Sequence, residues 1–194
     1  MVTPTFDIGD NSRVRSIRTA RSAHTKEPAR YRLDVVAASA ADAVCSAGGW
    51  LYDRAMAGWE VTVLLAGSCD ARPLRILGAD AADLDSGLDR TASTFHSLAV
   101  SAEAFAADER IRGTVLKALN HPLTEVALWG DGWPLAVSRG MDRVQHVLSA
   151  AARTFKGYAL AAAGMGWETV DPTETMFYDM AACSPADFEL IRLG

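Results

Sequence analysis

The chain has 194 residues, of which 49% are hydrophobic and 22% are charged, a size and composition typical of one globular domain with a buried core. Its apolar runs are interrupted by Gly, Asp or Arg well before the roughly 18 residues that a membrane span requires, so we expect no transmembrane helix. No apolar segment follows the basic N-terminal residues as it would in a secretory signal. These features predict a cytoplasmic location and no membrane partner.

Charge is distributed unevenly along the chain. Residues 1–32 carry seven Lys or Arg against three Asp or Glu, whereas residues 33–194 carry twelve against twenty-one. An acidic body repels nucleic-acid phosphates, so nucleic-acid binding is expected only through the N-terminal segment, if at all. That segment also has few large apolar side chains. We therefore predict a flexible basic arm over 1–30, with docking onto a partner as the alternative, and a single α/β domain over 31–194.

The first elements after the arm predict a parallel sheet. A β-branched run over 31–38 indicates a buried strand, apolar residues at helical spacing over 42–57 indicate a helix, and a second buried strand follows over 60–66. Strand, helix and strand within about 36 residues form a βαβ unit, which requires parallel pairing and a right-handed crossover.

The later elements are predicted from the same signals. They comprise a weak strand near 79–84, helical spacing over 87–120, a strand over 124–129, a long helix over 141–163, a segment over 166–179 that is strand or loop, and a short helix beginning at Ser184. The sum is a three-layer Rossmann-like α/β fold with a mostly parallel sheet of four or five strands.

One motif pattern connects the first βαβ unit to a known family. The strand that ends before Ser39 is followed by Asp42, by the pair Gly48-Gly49, and by the strand Glu60-Val-Thr-Val-Leu. Over residues 33–88 this arrangement resembles the LmbE/PIG-L family of zinc-dependent N-acetylglucosaminyl deacetylases. In that family a strand ends in His-Pro-Asp-Asp, a Gly pair lies seven residues further on, and a Gly-x-x-Val-Thr-Val strand follows.

The resemblance also assigns chemistry to three positions. Zinc hydrolysis needs three protein ligands and a carboxylate base. By the family pattern Ser39 stands where a His ligand is expected, Ala41 stands at the base, and Asp42 retains a ligand carboxylate. The loop after 124–129, Gly130-Asp-Gly-Trp133, contains no His to serve as the third ligand. We therefore expect no metal and no other cofactor.

Other motifs of catalysis are absent from the sequence. The four histidines at 24, 96, 121 and 146 form no i,i+4 pair, and the three cysteines at 45, 69 and 183 form no CxxC pair, so the cysteines are predicted to be small buried side chains. There is no Walker P-loop and no Gly-x-Ser-x-Gly elbow. Trp129 and Trp133 flank a Gly-Asp-Gly loop, which predicts a core or interface role or, alternatively, a wall on which a ligand stacks.

Ligands of open parallel sheets bind outside the carboxyl ends of the strands. The loops there supply eight candidate ligand-binding residues: Ser39, Asp42, Gly48, Gly49, Ser68, Asp70, Asp131 and Trp133. Because the catalytic pattern is incomplete, we expect a noncatalytic binding or regulatory protein rather than an enzyme, with a crevice for a small molecule and an apolar face for a homo-oligomer or a protein partner. The alternative is a hydrolase that acts on a sugar- or nucleotide-like substrate.

Overall fold

The computed structural model describes residues 31–67, 69–91, 97–166, 170–179 and 190–193, and the side chains of 89–91 are not considered. The arm predicted over 1–30, the candidate Ser68 and the helix predicted to begin at Ser184 lie outside these residues. Within the described ranges, none of the helices has the length and apolar character needed to cross a membrane.

Eight strands and seven helices follow one another along the chain. The strands are β1 Arg32–Val36, β2 Glu60–Leu65, β3 Asp80–Asp83, β4 Ser97–Ser101, β5 Val126–Trp129, β6 Asp142–Val147, β7 Thr173–Tyr178 and β8 Leu190–Arg192. The helices are α1 Ala40–Met56, α2 Arg72–Ile76, α3 Leu84–Thr91, α4 Ala102–Ala107, α5 Glu109–Leu119, α6 Leu135–Ser138 and α7 Ala150–Ala162.

All eight strands form one sheet in the order β3-β2-β1-β4-β5-β7-β6-β8. The first five strands are parallel, with β1 between β2 and β4, and the pairs β5–β7, β7–β6 and β6–β8 are antiparallel. The α/β class is therefore confirmed. The prediction of a mostly parallel sheet of four or five strands is wrong, because a three-stranded antiparallel extension was not foreseen.

Two hydrophobic cores cover the two faces of this sheet. One core includes residues of α1, α2 and α7, and the other includes residues of α3, α4 and α5. Strands β1 and β4 lie under both cores, which explains why every residue of Ser97–Ser101 is buried and the run carries no polar alternation. The predicted helical stretch over 87–120 is wrong at this point, since β4 interrupts it.

The predicted helix over 141–163 is also wrong in its first third. Strand β6 occupies Asp142–Val147, and only Val144 and His146 are buried there, the alternation expected of a strand. Val144 and Val147 fit helical spacing as well, so the strand merges with α7 in the sequence pattern. The buried-cysteine prediction fails at Cys69, which is exposed, while Cys45 is half-buried.

A buried ion pair joins α1 to α7 and β7. Lys156 Nζ donates to Glu174 Oε1 and to the Cys45 carbonyl oxygen, the latter at 2.7 Å. The Glu174 carboxylate in turn accepts from the backbone N–H groups of Gly49 and Trp50, both at 2.8 Å. Both side chains of the ion pair are less than a tenth exposed, so each charge depends on the other and on these hydrogen bonds. The middle of α1 is thereby held against the antiparallel half of the sheet.

Candidate functional site

The carboxyl ends of β1, β2, β4 and β5 lie at one edge of the sheet because these strands are parallel. Helix α1 begins there, directly after β1. Ser39 is its N-cap, with an extended backbone and a side-chain oxygen that accepts from the Asp42 N–H at 3.1 Å. The residue that stands at the family's His position therefore begins a helix.

The Asp42 carboxylate joins two elements at this edge. Its Oδ2 atom accepts from the Ala38 N–H at 3.0 Å, and its Oδ1 atom accepts from the Trp129 indole Nε1–H at 3.0 Å. Trp129 is the last residue of β5 and is 2% exposed. Both carboxylate oxygens are thus engaged by N–H donors, one from the end of β1 and one from the end of β5.

The loop after β5 is shaped by two glycines. Gly130 and Gly132 have φ values of 87° and 86°, which favour glycine, and a Cβ at Gly130 would lie 3.0 Å from that of Ala102. The side chain of Trp133 closes the loop by donating from Nε1 to the Trp129 carbonyl oxygen at 3.3 Å. Asp131 lies between the glycines, exposed, and its carboxylate has no hydrogen bond or ion pair within the described ranges.

A cavity of about 310 Å³ opens beside this loop. Strands β5 and β7 pair at Ala127↔Tyr178 and Leu128↔Phe177. Beyond the second pair lie Trp129 of β5 and Met176 of β7, and both residues line the cavity. The lining consists of Trp129, Gly130, Asp131, Arg143, Thr175, Met176 and Phe177. Like Asp131, the Arg143 guanidinium has no hydrogen bond or ion pair to any residue of the described part of the chain. A carboxylate and a guanidinium, each available to a ligand, therefore share one cavity.

The described residues do not fit the zinc ion of the family that the sequence resembles. Asp42 already accepts two N–H groups, the Ser39 hydroxyl caps α1, and Ala41 has no polar side-chain atom. Within the described ranges there is no group of three His, Cys, Asp or Glu side chains that could hold a metal ion.

The structure brings only part of the predicted site together. Ser39 and Asp42 meet the 129–133 segment through Trp129, so Asp131 and Trp133 lie at the same edge. Trp133 packs against Phe105 with ring centroids 4.8 Å apart, which suits the predicted core role. Asp70 lies in the exposed loop after β2, where its Oδ1 atom accepts from the Arg72 N–H at 2.9 Å.

Gly48 and Gly49 lie elsewhere. Both are buried in the middle of α1, away from the loops that end the strands. A Cβ at Gly49 would lie 2.2 Å from Leu148 Cδ2, and one at Gly48 would lie 3.3 Å from Leu77 Cδ1. The two glycines permit close packing of α1 and do not line the cavity.

Sequence reasoning missed Arg143 and Thr175. Both lie on the antiparallel strands, β6 and β7, on the sheet face opposite the buried Val144 and Met176. The sequence signal of this strand is weak, because one of its two buried positions is the polar His146 and its valines also fit helical spacing.

Comparison with known proteins yields matches only at the level of structure. No family model matches the chain, and no curated protein matches it. A deacetylase of teicoplanin biosynthesis, solved in complex with teicoplanin, matches with a TM-score of 0.52 at 15% identity, covering 84% of this chain and 98% of that one. The pseudoaglycone deacetylase Dbv21 matches with a TM-score of 0.48 at 14% identity, covering 85% and 99%. The hydratase GalB of Pseudomonas putida matches with 0.47 at 13%, covering 76% and 95%.

The match at a TM-score of 0.52 corrects the functional expectation. The sequence favoured a noncatalytic binding or regulatory protein, yet the solved chain that this fold matches at a TM-score of 0.52 is an enzyme, a deacetylase. The expectation of a protein without activity is therefore contradicted, and the hydrolase alternative is the better supported of the two. At 15% identity the likeness itself establishes the fold, and the activity must be argued from the site.

Proposed function

We propose that the chain is a hydrolase that removes an N-acyl group from a sugar-like substrate, as a relative of the LmbE/PIG-L deacetylases that works without their zinc site. The observation that carries the proposal is the cavity at the carboxyl end of β5, which holds the Asp131 carboxylate and the Arg143 guanidinium, each without a partner among the residues that the structure describes. The fold match to a deacetylase and the motif spacing over 33–88 support it.

The size and chemistry of the cavity suit a small sugar unit. A volume of about 310 Å³ lies at the lower end of the range for ligand pockets, which favours one ring over an oligosaccharide. Phe177 supplies aromatic surface, and Asp131, Arg143 and Thr175 supply polar groups. A ring with an apolar face and peripheral hydroxyl groups matches such a mixed lining.

The two charged side chains can divide the work of amide hydrolysis. The Asp131 carboxylate accepts a proton from a water molecule as its oxygen attacks the acyl carbon. The Arg143 guanidinium stabilises the negative charge that develops on the carbonyl oxygen. The carbon–nitrogen bond then breaks, the proton passes from Asp131 to the leaving nitrogen, and the products are a carboxylic acid and an amine.

Release of amine from acylated amino sugars tests the proposal. The full-length protein is incubated, in the presence of excess EDTA, with N-acetylglucosamine and with glucosamine derivatives that carry longer acyl chains, and primary amine is measured. We expect turnover that Asp131→Asn reduces by about 100-fold or more, since a general base contributes on the order of 10² to 10⁴ in rate. Arg143→Gln should reduce kcat by about 100-fold.

Matched controls are available on the surface of the same domain. Asp80→Asn on β3 removes an exposed negative charge, as Asp131→Asn does, and Arg75→Gln on α2 removes an exposed positive charge, as Arg143→Gln does. Both control residues lie outside the cavity, so both variants should leave kcat unchanged. Absence of amine release from every substrate, or turnover that Asp131→Asn does not reduce, would refute the proposal. Turnover that EDTA abolishes would refute its metal-free chemistry.

A further inference from the structure

We infer that Asp42, the residue that the family pattern makes a zinc ligand, acts here as a positioning residue that anchors the loop bearing Asp131. This role rests on the proposed function of Asp131, although the anchoring itself is measurable without catalysis. The anchor consists of one hydrogen bond, from Trp129 Nε1 to Asp42 Oδ1, between the beginning of α1 and the end of β5.

The hydrogen bond to Asp42 satisfies a buried donor. Trp129 is 2% exposed, so its indole N–H cannot turn to bulk water if the carboxylate is removed. A buried donor without an acceptor is costly, and a bond to an ionised acceptor is stronger than one between neutral groups. The indole position and the Asp42 position are therefore coupled, and a change at either one displaces the other.

The same indole belongs to the residue that begins the loop. Trp129 is followed by Gly130, Asp131 and Gly132, and its carbonyl oxygen accepts from Trp133 Nε1 at the other end of the loop. Asp131 thus lies in a loop with a tryptophan at each end. Trp129 donates to Asp42, and Trp133 packs against Phe105. Releasing the Trp129 ring alters the start of the loop and its closing hydrogen bond together.

The replacements around Asp42 are consistent with this role. The Ser39 hydroxyl accepts from the backbone N–H of Asp42, and this hydrogen bond helps to hold Asp42 in place at the third position of α1. The Ala38 N–H holds the second carboxylate oxygen. Each oxygen of the carboxylate thus accepts one N–H group, from the end of β1 and from the end of β5.

Three variants separate anchoring from other effects. Trp129→Phe removes the indole N–H and keeps an aromatic ring, Asp42→Ala removes the acceptor, and the double variant removes both. We expect each single variant to lower kcat by about 10- to 100-fold with little change in KM, because misplacement of a catalytic group by about 1 Å costs that order of rate. The double variant should be no slower than the slower single variant, since one interaction is lost in all three. Ser149→Ala, which removes the N-cap hydrogen bond of α7 outside the cavity, is the stability control and should leave kcat unchanged.

Nuclear magnetic resonance provides the readout that does not need activity. The indole N–H resonance of Trp129, assigned by its loss in Trp129→Phe, should shift in Asp42→Ala, and the amides of Gly130 and Gly132 should exchange with solvent at least several-fold faster. Addition of zinc to the wild-type protein should leave the indole resonance in place.

The possible failures are distinguishable. If the wild-type protein releases no amine, the proposed function fails, and the resonance and exchange data still decide the anchor. An indole resonance and loop exchange rates that Asp42→Ala leaves unchanged would overturn the anchor. So would additive losses of kcat in the double variant, or one zinc ion bound per chain whose binding is lost in Asp42→Ala.

Discussion

Replacement of Gly49 by alanine tests whether this glycine serves packing, as the structure indicates, or the ligand, as the sequence suggested. The change ordinarily favours a helix by about 1 kcal/mol. Here the added Cβ would lie 2.2 Å from Leu148 Cδ2 and 2.4 Å from its Cγ, so Leu148 or the helix must move. Overpacking of this kind costs about 1–3 kcal/mol, and an overlap this close calls for the upper end. We expect a net destabilisation of about 2 kcal/mol with KM unchanged.

Gly113 in α5 is the matched control. A Cβ there would meet no heavy atom within 4 Å, so Gly113→Ala should stabilise the protein by about 0.5–1 kcal/mol. Urea unfolding of both variants gives the comparison. Leu148→Ala alone should cost about 2–5 kcal/mol, and the double variant with Gly49→Ala should lose less than the sum of the two changes, because the new methyl group occupies part of the space. Equal stabilisation by the two glycine substitutions, or strict additivity with Leu148→Ala, would refute the reasoning.

Two further predictions concern buried groups. Lys156→Met leaves the Glu174 carboxylate buried without its cation and should destabilise the protein by about 3–5 kcal/mol in urea unfolding. Arg192→Met breaks the exposed pair with Asp142 and should cost less than about 1 kcal/mol. Similar losses in the two variants would contradict the view that burial makes the Lys156–Glu174 pair the more important one. Burial raises the pKa of the Cys45 thiol, so less thiolate is present near neutral pH and iodoacetamide should label Cys45 more slowly than the exposed Cys69. The ratio of the Cys69 labelling rate to the Cys45 labelling rate should fall as pH rises. Peptide mapping that finds equal labelling rates near neutral pH would contradict this prediction.

The parallel half of the fold was accessible from sequence because its signals are local. The βαβ unit predicted over 31–66 corresponds to β1, α1 and β2, in which β-branched strands flank a helix with a serine cap. The antiparallel half was not accessible in the same way. Strand β6 is followed after two residues by α7, and its two valines are three positions apart, which is a helical spacing, so only pairing with β7 distinguishes a strand from the first turns of a helix.

The residues of the candidate site also differ in how far sequence predicts them, according to whether they follow parallel strands or lie on antiparallel ones. Ser39, Asp42 and Asp131 follow parallel strands, where the rule that places ligands at carboxyl ends predicts a site. Arg143 lies on an antiparallel strand that neither this rule nor a motif identifies, although it supplies the cationic group of the cavity. The hydrogen bond between Asp42 and Trp129 spans 87 positions in sequence and depends on strand order, which no local pattern contains.

The glycine pair shows why a spacing match predicts a fold more securely than a reaction. Gly48 and Gly49 were singled out because they stand at the same distance from the strand end as in the deacetylase family. Leu148 lies so close to α1 that Gly49 has no room for a side chain, and Leu77 leaves little room at Gly48. Those contacts constrain the shape of the helix and its neighbours and say nothing of the side chains at its N-terminus. At Ser39 and Ala41 the N-terminus of α1 carries a cap and a methyl group. Activity on such a frame must therefore be sought at the cavity that Asp131 and Arg143 both line, since neither side chain has a partner among the described residues.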